Sequence, residues 1–294
     1  MKKISVWIDR EAIAASLFLA PAAILLGIFL VFPLVYLLGL SFTSGSFTRA
    51  GVHWVGVRNY WRLLTEPDFW QVLRNTLTFT VATVLPSLVV PLGLAVLLDR
   101  AFFGRTLLRS LYFLPSITSL VAAGLSFRWL FQTQGPLNSV LSALGLEPIP
   151  WLGSTVWALP VLILLSSWQQ LGFNLVVFLA GLQVIPQTRY EAAALDGADA
   201  WAQFWHITLP GLRPTLVFAT IATAIFTLRS FEPVYVVTGG GPRNATNLLV
   251  YYIYEQAFAL FDFGYAAAAA VVLLAIASLF VYWQLRAWGE TEPH

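Results

Sequence analysis

AIAASLFLAPAAILLGIFLVFPLVYLLGL, residues 12–40, contains no charged side chain, and the uncharged run from Glu11 reaches Arg49. It exceeds the about 20 apolar residues that carry an α-helix across a bilayer at about 1.5 Å rise per residue. It is also far longer than the roughly 7–15-residue apolar region of a cleaved signal peptide. The stretch therefore reads as an uncleaved first span, with Lys2, Lys3 and Arg10 before it.

The same reading extends along the chain. Charge-free windows place further spans at about 75–98, 107–130, 155–182, 211–231 and 263–286. The fifth is the shortest, with 15 uncharged residues between Arg213 and Arg229. Composition agrees: of 294 residues, 59% are hydrophobic and 10% charged, against about a quarter charged in soluble domains. The expectation is an all-α, polytopic membrane protein, one domain of six transmembrane helices.

Six spans put both termini on one side. That side carries nine basic residues, Lys2, Lys3, Arg10, Arg100, Arg105, Arg109, Arg189, Arg213 and Arg286. The other carries five, Arg49, Arg58, Arg62, Arg74 and Arg243, on longer loops. The excess of basic residues marks the termini as cytoplasmic, and so the protein as multi-pass in the cell (inner) membrane. Pro86 and Pro91 in the second span, Pro115 in the third and Pro160 in the fourth each remove a backbone donor, which neighbouring helices must make good. The alanine run 266–270 reads as a close helix-packing face.

Composition also excludes chemistry. With no cysteine, thiolate nucleophiles and thiolate metal sites are absent. The lysines are Lys2 and Lys3 alone, so the chain has no phosphate-binding loop for ATP. His53, His206 and His294 all fall outside the spans, no His-Glu-x-x-His occurs, and no span carries a carboxylate pair at helical spacing. The scattered arginines do not form a nucleic-acid patch. The expectation is no enzyme, no metal and no cofactor in this chain.

One loop, 187–210, differs from the rest. After Pro186 it contains RYEAAALDGADAWAQFWHITLP, residues 189–210. Glu191, the three alanines and Leu195 favour helix, and Gly197 is placed for a left-handed turn into a second short helix. Trp201, Phe204 and Trp205 recur at i, i+3, i+4 as an aromatic stripe. Such a stripe needs cover, from the chain's own span ends or from another protein.

This loop resembles the EAA loop of ATP-binding-cassette importer permeases: Glu-Ala-Ala, three residues, Gly, nine residues, Ile, one residue, Leu-Pro. Glu191, Ala192, Ala193, Gly197, Ile207, Leu209 and Pro210 match every fixed position. The likeness extends to the outer segments: Val55 to Tyr60, Phe69-Trp70, Asn75-Thr76, Gly135 to Asn138, Gly181-Leu182-Gln183 with Ile185-Pro186, Tyr235 to Pro242 and Gly264 to Ala268. These are similar to the first permease subunit of the sugar and glycerol-phosphate branch. Glu232 departs from it, since that branch more often has Asp.

The resemblance implies the type I importer permease fold. It implies that the loop, with Asp196 and Trp201 inside it, couples to separate ATPase subunits, two in number, which bind the ATP and magnesium. It further implies a homologous second permease subunit, an extracytoplasmic solute-binding protein, and a carbohydrate solute: a di- or oligosaccharide, a polyol or glycerol-3-phosphate. A self-sufficient secondary transporter is the alternative. Aligned on the Gly181-Leu182-Gln183 and Gly240-Gly241-Pro242 anchors, the implied solute contacts are Gln170, Phe173 and Asn174, then Phe226, Thr227 and Ser230. Amides, hydroxyls and aromatic faces suit a sugar, but they equally suit hydrogen bonding between helices. Arg229 needs a partner or a wet cavity. Pairing with Glu232 at i+3 is one solution; exposure to the pathway, favouring an anionic solute, is the other.

Overall fold

The computed structural model describes residues 5–44, 51, 53–99 and 103–289. Lys2, Lys3, Arg49 and Arg100 of the charge pattern lie outside these residues, as does His294. The chain divides into two compact units, residues 1–65 with 255–271, and residues 66–254 with 272–294.

In the first unit, helix α1 (Ser5–Leu26) passes through a π-helical stretch, Gly27–Val31, into α2 (Phe32–Ser41). None of this span's most apolar window is buried within the chain. Two short strands, β1 (Thr43–Ser44) and β2 (His53–Trp54), then pair antiparallel. Helix α3 (Arg58–Thr65) follows, braced by polar contacts. Asn59 Nδ2 donates to the carbonyls of Ser41 (2.9 Å) and Thr43 (2.7 Å). Arg62 pairs with Asp262 at 2.7 Å and lies 4.2 Å from the Tyr265 ring centroid. Gly264 touches the Thr43 carbonyl so closely that no Cβ would fit. The expected alanine face is fully buried from Ala266 to Ala269.

The second unit holds the remaining helices: α4 (Pro67–Asp99), α5 (Arg105–Ile117), α6 (Leu120–Leu130) and α7 (Pro136–Ala143). Next come α8 (Ala158–Val184), α9 (Gln187–Leu195), α10 (Ala200–Gln203), α11 (Leu209–Gly211), α12 (Arg213–Leu228) and α13 (Leu249–Tyr254). Helix α14 (Phe263–Gly289) begins in the first unit and ends here. Half of α8's most apolar window is buried, more than in any other continuous span, so α8 is the unit's central helix. Leu175, Phe178, Leu179 and Leu182 at one end of α8 pack with Ala95, Leu98, Leu212 and Ala219. Leu162 and Leu165 at the other end pack with Phe79, Ala123, Val234 and Val237.

Among the described residues four helices are long and apolar enough to cross a bilayer, and the spans number six when each of two bent pairs is counted as one. The third window is not one straight helix: α5 and α6 meet at 92°. Pro115 withholds a helical N–H, and Thr118 and Ser119 then take extended ψ angles of 134° and 125°. The fifth window opens with a 66° bend ahead of α12. Pro91 does not break α4, for a reason that lies on α8. Its missing N–H frees the Ser87 carbonyl, four residues back, and Asn174 Nδ2 donates to that carbonyl at 2.7 Å.

Candidate coupling loop and solute site

The loop between α8 and α12 is shaped by caps. Helix α9 ends in a paired closure: the Ala198 N–H reaches the Ala193 carbonyl (2.9 Å) and the Gly197 N–H the Ala194 carbonyl (3.1 Å). Gly197 sits at φ +82°, and a Cβ there would touch nothing within 4 Å. The demand for glycine is therefore conformational, not steric. Asp199 caps the next turn, its Oδ1 accepting from the Ala202 N–H at 2.7 Å. The Tyr190 and Thr208 hydroxyls, 3.0 Å apart, tie the two halves of the loop together.

Of the proposed coupling residues, Glu191, Ala192, Asp196, Gly197, Trp201 and Pro210 are exposed, and Ala193, Ile207 and Leu209 are half-buried. Ile207 packs on the core at the end of α8. Trp201, Phe204 and Trp205 form a cluster with ring centroids 5.5 to 6.1 Å apart. Of the two covers the sequence allows, the chain's own spans do not provide one. Trp201 is 68% exposed, Trp205 48%, and Leu195 90%.

One cavity lies where α5, α8 and α12 meet, and a second lies beside it between the start of α6 and the end of α12. The first, about 330 Å³, is lined by Phe113, Ser116, Gln169, Gln170, Phe173, Ala222 and Phe226. The second, about 260 Å³, shares Ala222 and Phe226 and adds Leu120, Ile225, Arg229, Ser230 and Glu232. The structure thus brings together Gln170, Phe173, Phe226, Arg229 and Ser230 from the sequence-based set.

Asn174 and Thr227 do not join them. Asn174 is fully buried, occupied by the Ser87 carbonyl and by the Thr223 hydroxyl at 3.1 Å. Thr227 is buried and donates to the Ala224 carbonyl at 2.9 Å. Asn174 serves the helix interface, and Thr227 is satisfied within its own helix. Arg229 and Glu232 do not form the ion pair that their i,i+3 spacing allows; neither is in a salt bridge among the described residues.

Phe113, Ser116 and Gln169 line the first cavity and were missed by sequence reasoning. The Ser116 hydroxyl donates to the Gln169 carbonyl and accepts from the Phe173 N–H, both at 3.0 Å. It thereby occupies both ends of one i→i+4 rung of α8. A Cβ on Gly172 would come 2.5 Å from that hydroxyl, so glycine is what lets α5 approach so closely. The only sequence signal was a Pro115-Ser116 pair inside an apolar span. No cluster of three or more His, Asp or Glu able to hold a metal ion occurs among the described residues.

Residues 87–287 match the model of the family described as binding-protein-dependent transport system inner membrane component, and the chain belongs to that family. It is 39% identical to the sulfoquinovosyl glycerol transport system permease protein SmoG of Agrobacterium fabrum, over 92% of this chain and 89% of that one. It is 36% identical to the lactose transport system permease protein LacF of Rhizobium radiobacter, over 94% of each. A chain in the crystal structure of a bacterial alginate ABC transporter, in complex with alginate pentasaccharide-bound periplasmic protein, matches at TM-score 0.81. That chain is 25% identical, with 96% of each chain covered.

The protein is therefore a multi-pass permease subunit of an ABC importer, with the all-α type I permease fold. It is a transport component rather than an enzyme, and it works with partner proteins. This sets aside the self-sufficient secondary transporter.

Proposed function

We propose that this subunit pairs with a homologous second permease chain, that two ATPase subunits dock on the inter-span loops, and that an extracytoplasmic binding protein delivers a carbohydrate. Both termini lie in the cytoplasm, where the motors hold the ATP and magnesium. Closure of the motors pushes the loop 187–210, and the spans alternate access to a central site. The carbohydrate reading draws support from relatives named for sulfoquinovosyl glycerol, lactose and arabinooligosaccharides. The chemistry of Gln169 and Gln170 beside Phe113, Phe173 and Phe226 also supports it, because amides pair with sugar hydroxyls while rings stack on C–H surfaces.

One observation carries the coupling role: a rigidly capped loop holds Leu195, Trp201 and Trp205 out of its own core. Apolar side chains clustered in this way mark an interaction surface. The test is co-purification of the importer through a tag on this chain. Leu195→Asp with Trp201→Ala is expected to retain the second permease and lose the ATPase subunits and uptake. Retained ATPase with normal uptake overturns the docking role. Orientation is checked separately in a chain with no native cysteine. A cysteine at the exposed Ser142 is expected to react with an impermeant reagent from outside intact cells, and one at Thr188 is not.

A further inference from the structure

We propose that the groove between the first turns of α4 and α8 holds an anionic phospholipid of the outer leaflet. Arg74 and Arg243 would take its phosphate, and the apolar wall below them an acyl chain. Only the choice of leaflet rests on the orientation proposed above; the binding chemistry does not. The groove has a volume of about 940 Å³, larger than either cavity beside α12, and lies wholly within the second unit.

Its rim is cationic. The uncharged run of α4 begins after Arg74 and lasts to Asp99, so Arg74 stands where the hydrocarbon zone starts. Arg243 reaches the same groove from the loop between α12 and α13. That loop is held in a costly conformation, with Arg243 at φ +49° and Asn244 at φ +59°, a left-handed region that residues other than glycine seldom enter. Such strain persists only where the surroundings impose it, and it gathers at ligand clamps. Here α4 imposes it: Gln71 Nε2 donates to the Arg243 carbonyl at 2.9 Å and Asn75 Nδ2 to the Asn244 carbonyl at 2.7 Å. Neither guanidinium is in an ion pair among the described residues, and no carboxylate lines the groove. Two cations on one groove repel each other, and an anion between them turns that cost into attraction. Guanidinium groups suit phosphate best, because they can donate two parallel hydrogen bonds to it.

Below the rim the lining turns apolar. Trp70 is 50% exposed at the top, the level at which tryptophan favours the membrane interface. Leu159, Pro160 and Ile163 of α8 form the wall opposite Thr78 of α4. Trp70 to Thr78 spans about 12 Å of helix at the usual rise. A phospholipid has the same order over the same depth, phosphate above and hydrocarbon beneath. A free phosphate would use the rim and leave the wall empty. A helix of another chain would use the wall and leave two cations unpaired. A zwitterionic lipid would bring an ammonium group to a groove without a carboxylate.

The test is native mass spectrometry of the importer, purified in mild detergent through a tag on this chain. Equimolar phosphatidylglycerol and phosphatidylethanolamine are added as probes, and the mass of the intact complex shows that each variant has assembled. The expected result is preferential retention of phosphatidylglycerol. Arg74→Gln and Arg243→Gln should each lower it about fivefold, the worth of one basic side chain at an anionic surface. Arg58→Gln, exposed and outside the groove, should not. Thr78→Trp, at an exposed position on the wall, should lower retention with both arginines in place. Equal retention of the two lipids, or retention indifferent to both arginine variants, overturns the proposal. Displacement by excess inorganic phosphate, with no effect of Thr78→Trp, overturns it in favour of a free anion. Cross-linking of Thr78→Cys to the second permease overturns it in favour of a neighbouring span. If Ser142→Cys reacts only from the cytoplasmic side while retention still follows the two arginines, the orientation fails and the phosphate site stands in the other leaflet.

Discussion

The loop 187–210 and the helix pair α8 and α12 reverse each other's chemistry. The loop, in the polar zone, holds out apolar side chains: Leu195, Trp201 and Trp205 are uncovered. The helices, in the apolar zone, turn polar ones inward: Gln170, Asn174, Thr223 and Thr227 are all buried. Each side chain set against its surroundings costs free energy unless something else covers or bonds it. In the loop nothing among the described residues does so, which supports a partner. In the helices the chain does so for Asn174 and Thr227, while Gln170, Arg229 and Ser230 line the cavities. A residue of the wrong polarity is thus a functional hint only after its partners inside the chain have been subtracted.

The largest effect is expected where the loop's shape depends on one backbone conformation. Gly197→Pro loses the 3.1 Å bond to the Ala194 carbonyl and cannot take a positive φ, since proline is held near about −65°. Gly197→Val keeps the N–H but is strained at φ +82°, by about 1–3 kcal/mol. Both are expected to reduce uptake to background at unchanged membrane abundance. Glu191→Arg, which leaves the backbone alone and reverses an exposed charge, is expected to do the same. Normal uptake by these variants at normal abundance would refute a coupling role for the loop.

A comparable loss is expected from Asn174→Leu, but with the opposite signature. Removing the amide leaves the Ser87 carbonyl without the donor that Pro91 failed to supply, a cost of about 1–2 kcal/mol. Yield and thermal stability of the importer should fall, and uptake of every solute should fall with them. Pro91→Ala restores an N–H to the same carbonyl, so the double variant Asn174→Leu, Pro91→Ala should recover most of the lost stability. Recovery sharpens the contrast, because no solute ligand is replaced by a backbone amide on another helix. If instead Asn174→Leu keeps full stability and loses uptake of one solute class, Asn174 returns to the solute site.

The same contrast explains what could be read from the sequence. The span windows and the loop motif are contiguous, so charge-free runs and one spaced pattern find them. Gly197 is legible because a left-handed turn after a helix leaves glycine as its mark. The bend at Thr118 and Ser119 was signalled only by Pro115, and the same signal at Pro91 was false because Asn174 repairs it. The lining of the two cavities was half legible. Gln170, Phe173, Phe226, Arg229 and Ser230 were found by resemblance, but facing is not written in residue type. Asn174 stands one position from Phe173 and points into the interface. Several motif residues of the outer segments prove to be braces. Asn75 Nδ2 donates to the Asn244 and Asn247 carbonyls at 2.7 and 3.2 Å. Asn138 Oδ1 accepts from the Ile149 N–H and the Trp151 ring, both at 3.0 Å. Arg229 is not paired with Glu232, and both line the second cavity.

An intermediate effect is expected from Phe173→Ala. Phe173 is 39% exposed and lines the first cavity without filling a core. Its loss should raise the half-saturating solute concentration about tenfold, as loss of an aromatic stacking contact does, and leave stability and ATPase association unchanged. The solute used is whichever carbohydrate the cognate binding protein retains in a screen. Unchanged half-saturation would remove Phe173 from the pathway.

The smallest effect tests whether the cavity is shaped from outside α8. Ser116 on α5 touches no guest in its bonded state: its hydroxyl is spent on the Gln169 carbonyl and the Phe173 N–H. It is a positioning residue for the three α8 side chains that line the cavity, Gln169, Gln170 and Phe173. Ser116→Ala removes two hydrogen bonds whose net worth is about 1 kcal/mol each. The main chain of α8 can absorb part of that loss by tightening its own rung. The expected outcome is a rise of a few-fold in half-saturation with maximal rate and complex stability unchanged. Faster hydrogen exchange at the Phe173 amide should accompany it. That amide readout separates positioning from mere packing, since a packing role would slow uptake and destabilise the chain without singling out one rung. If exchange at Phe173 and half-saturation both stay as they were, the hydroxyl does not shape the site, and α8 alone carries its geometry.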